Sequence, residues 1–205
     1  GKTVEEKTVR LNIAVKLQNK FIQMNGLANI NAAMNQAKLI AICGNIGAGK
    51  STILKEIRRR CTNYAYAIPY RLEIHERCVT DGTEVFAQRM ADHQELTKEQ
   101  LNLLKRTAQR FTNLKEPDLY VWIRCAPVTC LKRLKQRQQV GDNNIELPRL
   151  QQLHKLYSTV MNSERRKNKV IIVNSEEETT TAEMTATQAV KSIIQWIAQE
   201  ETKLG

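Results

Sequence analysis

No stretch of the chain holds 18 consecutive apolar residues, and this excludes a membrane-spanning helix. The N-terminus has no apolar core of the secretory kind, and the chain opens on Gly1 rather than Met, as a processed chain would. No Cys-x-x-Cys pair occurs, and the five cysteines, Cys43, Cys61, Cys78, Cys125 and Cys130, are odd in number. That argues against a zinc site and a disulfide framework, and points to a reducing, intracellular compartment, cytoplasm and mitochondrion being equally open. Aromatic residues are only 5% of the chain and do not interleave with the basic clusters, so the stacking platforms of a nucleic-acid binder are lacking. Acidic residues are in deficit, 21 against 32 Lys and Arg, a formal charge of +11. The surplus suits polyanionic partners such as nucleotides, nucleic acid or an acidic protein.

What the chain does have is a length of 205 residues and 41% apolar content, enough for one globular domain without staples. Residues 1–36 mix scattered apolar side chains (Val4, Val9, Leu11, Ile13, Val15, Leu17, Phe21) with charge, before a break at Asn25-Gly26 and a small, polar stretch. This predicts a helical arm and a joint, with the main domain over 37–205. From residue 38, β-branched runs alternate with helical ones. Strands are expected at 38–43, 71–75, 119–125 and 169–174. Helices are expected at 50–60, across 84–113 with Thr97 as an N-cap, at 127–138, at 147–161 and after 181. Ala189, Ile193, Ile194 and Ile197 would form one face of the last helix. Such alternation argues an α/β fold in three layers, a parallel sheet covered on both faces.

Only eight glycines occur, and three of them fall in six residues. The segment Gly44-Asn45-Ile46-Gly47-Ala48-Gly49-Lys50-Ser51 fits G-x-x-x-x-G-K-[ST] in full, between a predicted strand and a predicted helix. Glycines let backbone N–H groups converge on phosphate oxygens, and the helix N-terminus adds its positive dipole end. Lys50 would reach the β- and γ-phosphates of ATP, and the Ser51 hydroxyl would hold Mg²⁺. The loop implies a nucleoside triphosphate and leaves the acceptor open.

With Thr52 added, this loop resembles that of the deoxyribonucleoside kinase family. Further similarities follow in order: His75-Glu76-Arg77-Cys78 is similar to the family's Glu-Arg-Ser motif, and Val85-Phe86-Ala87 to its apolar triplet. The segment from Pro117 and Asp118 through Ala126 and Pro127 to Cys130 and Arg133 is similar to its fourth strand and lid approach. Arg133, Arg137, Ile145, Leu147, Leu150, Leu153, His154 and Tyr157 are similar to its lid and following helix. The resemblance covers about 38–174. It implies a P-loop kinase fold, Glu76 near Mg²⁺ and the sugar, and Arg77 on the 5′-hydroxyl or the transferred phosphoryl. It also implies Arg133 and Arg137 on the phosphates, Asp142 near the sugar 3′-hydroxyl, the loop after Asn174 beside adenine, a deoxynucleoside as substrate and a homodimer. Phosphoryl transfer is positioning plus charge neutralisation, to which guanidinium forks are suited.

The sequence also departs from that family. The family's general-base Glu ends a strand after the first helix, and two helices then build the nucleoside pocket. Here about twenty residues separate Ser51 from Arg71, and no carboxylate occurs between Glu56 and Glu73. Glu56 belongs to the helix after the loop. Glu73, three residues before Glu76, would face the opposite side of a regular strand. Tyr64, Tyr66 and Tyr70 are candidates to stack on a base or to fill core, and Gln139 and Gly141 stand where the family has an arginine and an acid. A segment removed between 61 and 70 would account for the short connection. The parallel sheet should be smaller than the family's five strands.

Three readings follow. One is a minimal deoxyribonucleoside kinase using ATP and Mg²⁺, carried by Lys50, Ser51, Glu76, Arg77, Arg133 and Arg137. Another is a kinase fold with an impaired acceptor site, serving as a subunit of a larger assembly and still holding a nucleotide. The third is a basic nucleic-acid module using Arg58–Arg60, Lys132–Arg137 and Arg165–Lys169, the least favoured for want of a reader motif.

Overall fold

The computed structural model describes residues 8–11, 38–61, 72–111, 116–137, 142–176 and 180–202. The expected joint after Gly26, the three tyrosines at 64, 66 and 70, and Gln139 and Gly141 lie outside the described residues. The strands are β1 (Thr8–Leu11), β2 (Lys38–Gly44), β3 (Leu72–Glu76), β4 (Leu119–Arg124) and β5 (Val170–Asn174). The helices are α1 (Lys50–Cys61), then α2, made of the successive segments Val79–Asp81, Gly82–Ala87 (a π-helical turn) and Gln88–Asp92, then α3 (Lys98–Phe111), α4 (Pro127–Arg137), α5 (Leu147–Met161) and α6 (Ala182–Thr202).

The sheet runs β1-β3-β2-β4-β5. The four strands from β2 to β5 are parallel, as the strand–helix alternation predicts. The N-terminal expectation needs correcting: Thr8–Leu11, placed by the sequence pattern in a helical arm, is a strand antiparallel to β3 with Thr8 opposite His75. The alternation Val9, Leu11 is a two-residue period that fits a strand better than the imperfect helical spacing does.

Side-chain parity on β2 and β4 divides the core. Ile40, Ile42, Val121 and Ile123 join Ile74, Ile53, Ile57, Ala189 and Ile193 on the face covered by α1 and α6. Ala41, Cys43, Tyr120 and Trp122 join Val85, Leu153, Tyr157 and Met161 on the face covered by α2 and α5. Both faces being covered is why β2 and β4 read as continuous apolar runs. Asp118 secures the start of β2: its carboxylate accepts from the Leu39 N–H at 2.8 Å, and its own N–H donates to the Leu39 carbonyl at 2.8 Å. The Thr97 cap is present as a reciprocal pair, Gln100 N–H to Thr97 Oγ1 at 3.2 Å and Thr97 N–H to Gln100 Oε1 at 2.8 Å. The carboxyl ends of the parallel strands therefore converge on the loops after β2, β3, β4 and β5.

Candidate active site

The loop between β2 and α1 has the backbone its glycines allow. Gly44, Gly47 and Gly49 have φ of 149°, 80° and 88°. Gly47 is needed for a second reason: a Cβ there would lie 2.6 Å from the Cys130 carbonyl oxygen. Asn45 is a latch within the loop. Its amide nitrogen donates to the Leu150 carbonyl at 2.8 Å and its amide oxygen accepts from the Ile46 N–H at 2.8 Å. Ala48 is buried in the core, so Asn45 and Ala48 offer a nucleotide their backbone rather than their side chains.

Lys50, only 4% exposed, begins α1 and donates to the Asn45 carbonyl at 2.7 Å. Burial first, and the nearby Arg77 cation second, pull its pKa down from 10.5 to about 8. Ser51 Oγ donates to Glu76 Oε2 at 2.9 Å across the tips of α1 and β3. A hydroxyl and a carboxylate that close are hard oxygen donors of the kind Mg²⁺ takes. Thr52 lies exposed on the next position of the helix.

Arg77 leaves β3 with φ of 67°, left-handed and rare for a residue with a Cβ. Its N–H still donates to the Ile42 carbonyl at 2.8 Å, so the turn comes directly off the sheet pairing. Its guanidinium lies 4.6 Å from the centre of the Phe86 ring. Phe86 was legible in the sequence only as part of an apolar triplet.

The two lid arginines, one helical turn apart, engage different partners. Arg133 donates to Ser175 Oγ at 3.0 Å and to the Thr180 carbonyl at 3.1 Å, with Cys125 Sγ at 3.4 Å, and so ties α4 to the loop after β5. The Cys130 thiol and the Arg133 cation hold Cys125 below the ordinary thiol range, whereas the hydrogen bond with Cys125 and then burial push Cys130 up. Arg137 grips Asp142 through two bonds of 2.9 Å. Predicted lid and sugar residues thus meet each other. Glu73 lies 3.6 Å from His75 Nε2, on the strand parity opposite to Glu76, and Glu56 pairs with Arg59 at 2.9 Å.

Sequence reasoning missed a buried polar group beneath Arg77. Arg166 donates to Asp81 Oδ1 at 2.8 Å, to Thr80 Oγ1 at 2.7 Å and to Glu84 Oε2 at 3.0 Å, with its guanidinium 4.5 Å from the Tyr120 ring centre. Tyr157 reaches Asp81 Oδ2 at 3.4 Å, and burial pushes its phenol well above the ordinary range. The sequence offers Arg165–Lys169 as charge for a nucleic-acid module; buried Arg166 does not serve it, and nothing local marks that residue as the one turned inward.

The deoxynucleoside kinase family model matches residues 64–198, more than half of the chain. The chain belongs to the deoxynucleoside kinase family. The matched span includes Glu76, Arg77, Arg133, Arg137 and Asp142, while the phosphate loop precedes it. No curated protein matches this chain. Among solved structures, a deoxyadenosine kinase from M. mycoides with bound dCTP shares the fold, with a TM-score of 0.60 and 17% identity over 78% of this chain and 99% of that one. Among the described residues, no helix of this kinase-family chain is long and apolar enough to cross a membrane.

Proposed function

We propose that the chain transfers the γ-phosphoryl of ATP to the 5′-hydroxyl of a deoxynucleoside. The observation that carries this is the phosphate loop at the head of α1 with Ser51 bonded to Glu76 at 2.9 Å. The Gly-rich backbone and the α1 N-terminus suit the triphosphate, with Lys50 as the cation among its oxygens. Ser51 and Glu76 would hold Mg²⁺, which neutralises charge on the phosphates when bound. Arg77 comes from the residue after Glu76 and lies near enough to Lys50 to lower its pKa. In this reading it is the cation that would meet the acceptor oxygen and the transferring group. Arg137 reaches the phosphates once it exchanges Asp142 for them, which leaves the Asp142 carboxylate to accept from a sugar hydroxyl. Arg133 holds the loop after β5, the expected neighbour of adenine.

Membership of the deoxynucleoside kinase family supports a deoxynucleoside as the molecule on the acceptor side. Turnover should be slow. With no carboxylate between Glu56 and Glu73, and those two engaged elsewhere, a general base worth about 10²–10⁴-fold is lacking. The same observation favours a second reading, a kinase-family subunit that holds nucleotide without turning it over.

One experiment separates them: transfer of labelled γ-phosphate from ATP·Mg²⁺ to the four deoxynucleosides, with Lys50→Ala in parallel and ATP binding read by thermal shift. Labelled monophosphate lost in Lys50→Ala establishes the kinase. ATP binding with no product from any deoxynucleoside overturns the transfer reading in favour of the second, and no ATP shift at all overturns both.

A further inference from the structure

Among the described residues, one group of metal-ligating side chains lies outside the phosphate-binding machinery. The Sγ atoms of Cys43 and Cys78 and a carboxylate oxygen of Asp81 all lie within 4.8 Å of one another. Cys43 and Asp81 are buried, and Cys78 is partly exposed. We propose that Cys43, Cys78 and Asp81 form a binding site for a thiophilic divalent cation of the Zn²⁺ class.

Four arguments carry this. The first is distance. A tetrahedral ion with bonds of about 2.3 Å to sulfur and about 2.0 Å to oxygen holds its ligand atoms roughly 3.5–3.8 Å apart. Cys78 Sγ and Asp81 Oδ1 are 3.2 Å apart, a few tenths of an ångström inside that span, and all three ligand atoms lie within 4.8 Å of one another. The second is rigidity. Cys43 is the last side chain of β2, Cys78 caps the start of α2, and Asp81 lies in its first turn. The site therefore rests on a central strand and a helix start.

The third is charge. Two thiolates and a carboxylate carry three negative charges; Arg166, 2.8 Å from Asp81 Oδ1, supplies one positive charge and a divalent ion the other two. Arg166 and Tyr157 then act as the outer partners that orient a ligating carboxylate. The fourth is ligand softness. Two sulfurs select Zn²⁺, Cd²⁺ or Co²⁺, whereas the Ser51–Glu76 oxygen pair selects Mg²⁺. Three protein ligands leave the fourth position to Thr80 Oγ1, 3.2 Å from Cys78 Sγ, or to water entering past Cys78. A bound ion would tie the residue before Gly44 to the residue after Arg77 and hold the left-handed turn at Arg77 in place.

The test is titration of the reduced, metal-free full chain with Cd²⁺ alone, following the thiolate-to-Cd²⁺ charge-transfer absorption and thermal stability. ATP is absent, so the result does not depend on the kinase reading. The expected result is one saturable equivalent per chain with a raised Tm. Cys78→Ser and Asp81→Asn, each removing a ligand charge, should each weaken binding by at least the roughly 10–100-fold that loss of an outer partner costs. A Cys125→Ser/Cys130→Ser protein, which removes the other pair of neighbouring thiols, should bind unchanged. Cys78 is partly exposed, so Cys78→Ser folds even if a change at buried Cys43 does not. Absence of a saturable equivalent, or one that survives Cys78→Ser, overturns the proposal and leaves a hydrogen-bonded thiol–carboxylate cluster of the core.

Discussion

Lys50 keeps an ammonium group where water barely reaches. Below pH 8 that group is charged in both the folded and unfolded chain, and folding bears its desolvation in full. Because burial sets its folded pKa at about 8 against 10.5, the cost is about 3 kcal/mol. As pH rises from 8 to 10.5 the folded chain sheds the proton while the unfolded chain keeps it, so stability rises across that window. Lys50→Met should therefore raise Tm by several degrees at pH 7, the lost bond to the Asn45 carbonyl offsetting about 1 kcal/mol. The gain should shrink between pH 8 and 10.5, and the ATP-induced shift should vanish. Thermal melts across that range check both signs. Two glycines of the same loop give a matched pair. Gly49→Ala meets open space at φ of 88° and should cost only about 1–2 kcal/mol of backbone strain. Gly47→Ala adds to its own left-handed strain a clash with the Cys130 carbonyl and should cost about 2 kcal/mol more, read as urea midpoints.

Helix α2 shows what an element's sequence can and cannot reveal. The α1, β2, β4, α5 and α6 segments were legible because each carries one dominant signal: a glycine loop, a β-branched run, or a repeated apolar face. The capping box at Thr97 was legible for the same reason, since its partners are three residues apart. The backbone turns of the glycine loop were legible because three glycines fall within six residues. The Asp81–Arg166 pair was not, because its members are 85 residues apart and are buried only by tertiary packing. Nor was the split of Arg133 from Arg137, since helical spacing places both on one face but does not name their partners. The buried pair makes its own prediction. Asp81→Ala strips the Arg166 guanidinium of its fully buried partner, leaving only the part-exposed Glu84 carboxylate, and should cost about 3 kcal/mol. Adding Arg166→Met removes the stranded charge, and the double variant should recover a large part of that loss. A thermodynamic cycle of the two singles and the double measures it; strictly additive losses would show that the pair is not coupled.

At the scale of the whole molecule, the sheet separates what the candidate site needs from what protects the chain. The site is built from β2, α1, β3 and the loops reaching it from α4 and α5; β1 supplies only the edge beside β3. An open parallel strand end with unpaired N–H and C=O groups is a template for pairing with another chain. Its sequence, Leu72 to Glu76, has no proline or lysine to blunt it. Deleting residues 1–11 should therefore leave the ATP-dependent thermal shift in place, because β2–β3 pairing from Lys38–Leu72 to Ile42–Glu76 does not involve β1. It should lower Tm and produce concentration-dependent association visible by light scattering. Residues 1–11 carry three cations and two carboxylates, so the truncated chain keeps +10, which opposes that association at low salt through self-repulsion; raising the ionic strength should speed it as the Debye length falls from about 30 Å at 0.01 M to about 8 Å at 0.15 M. If the truncated chain stayed monomeric at high salt with an unchanged Tm, the antiparallel edge strand would contribute nothing to the fold in solution, and the four parallel strands alone would account for its stability.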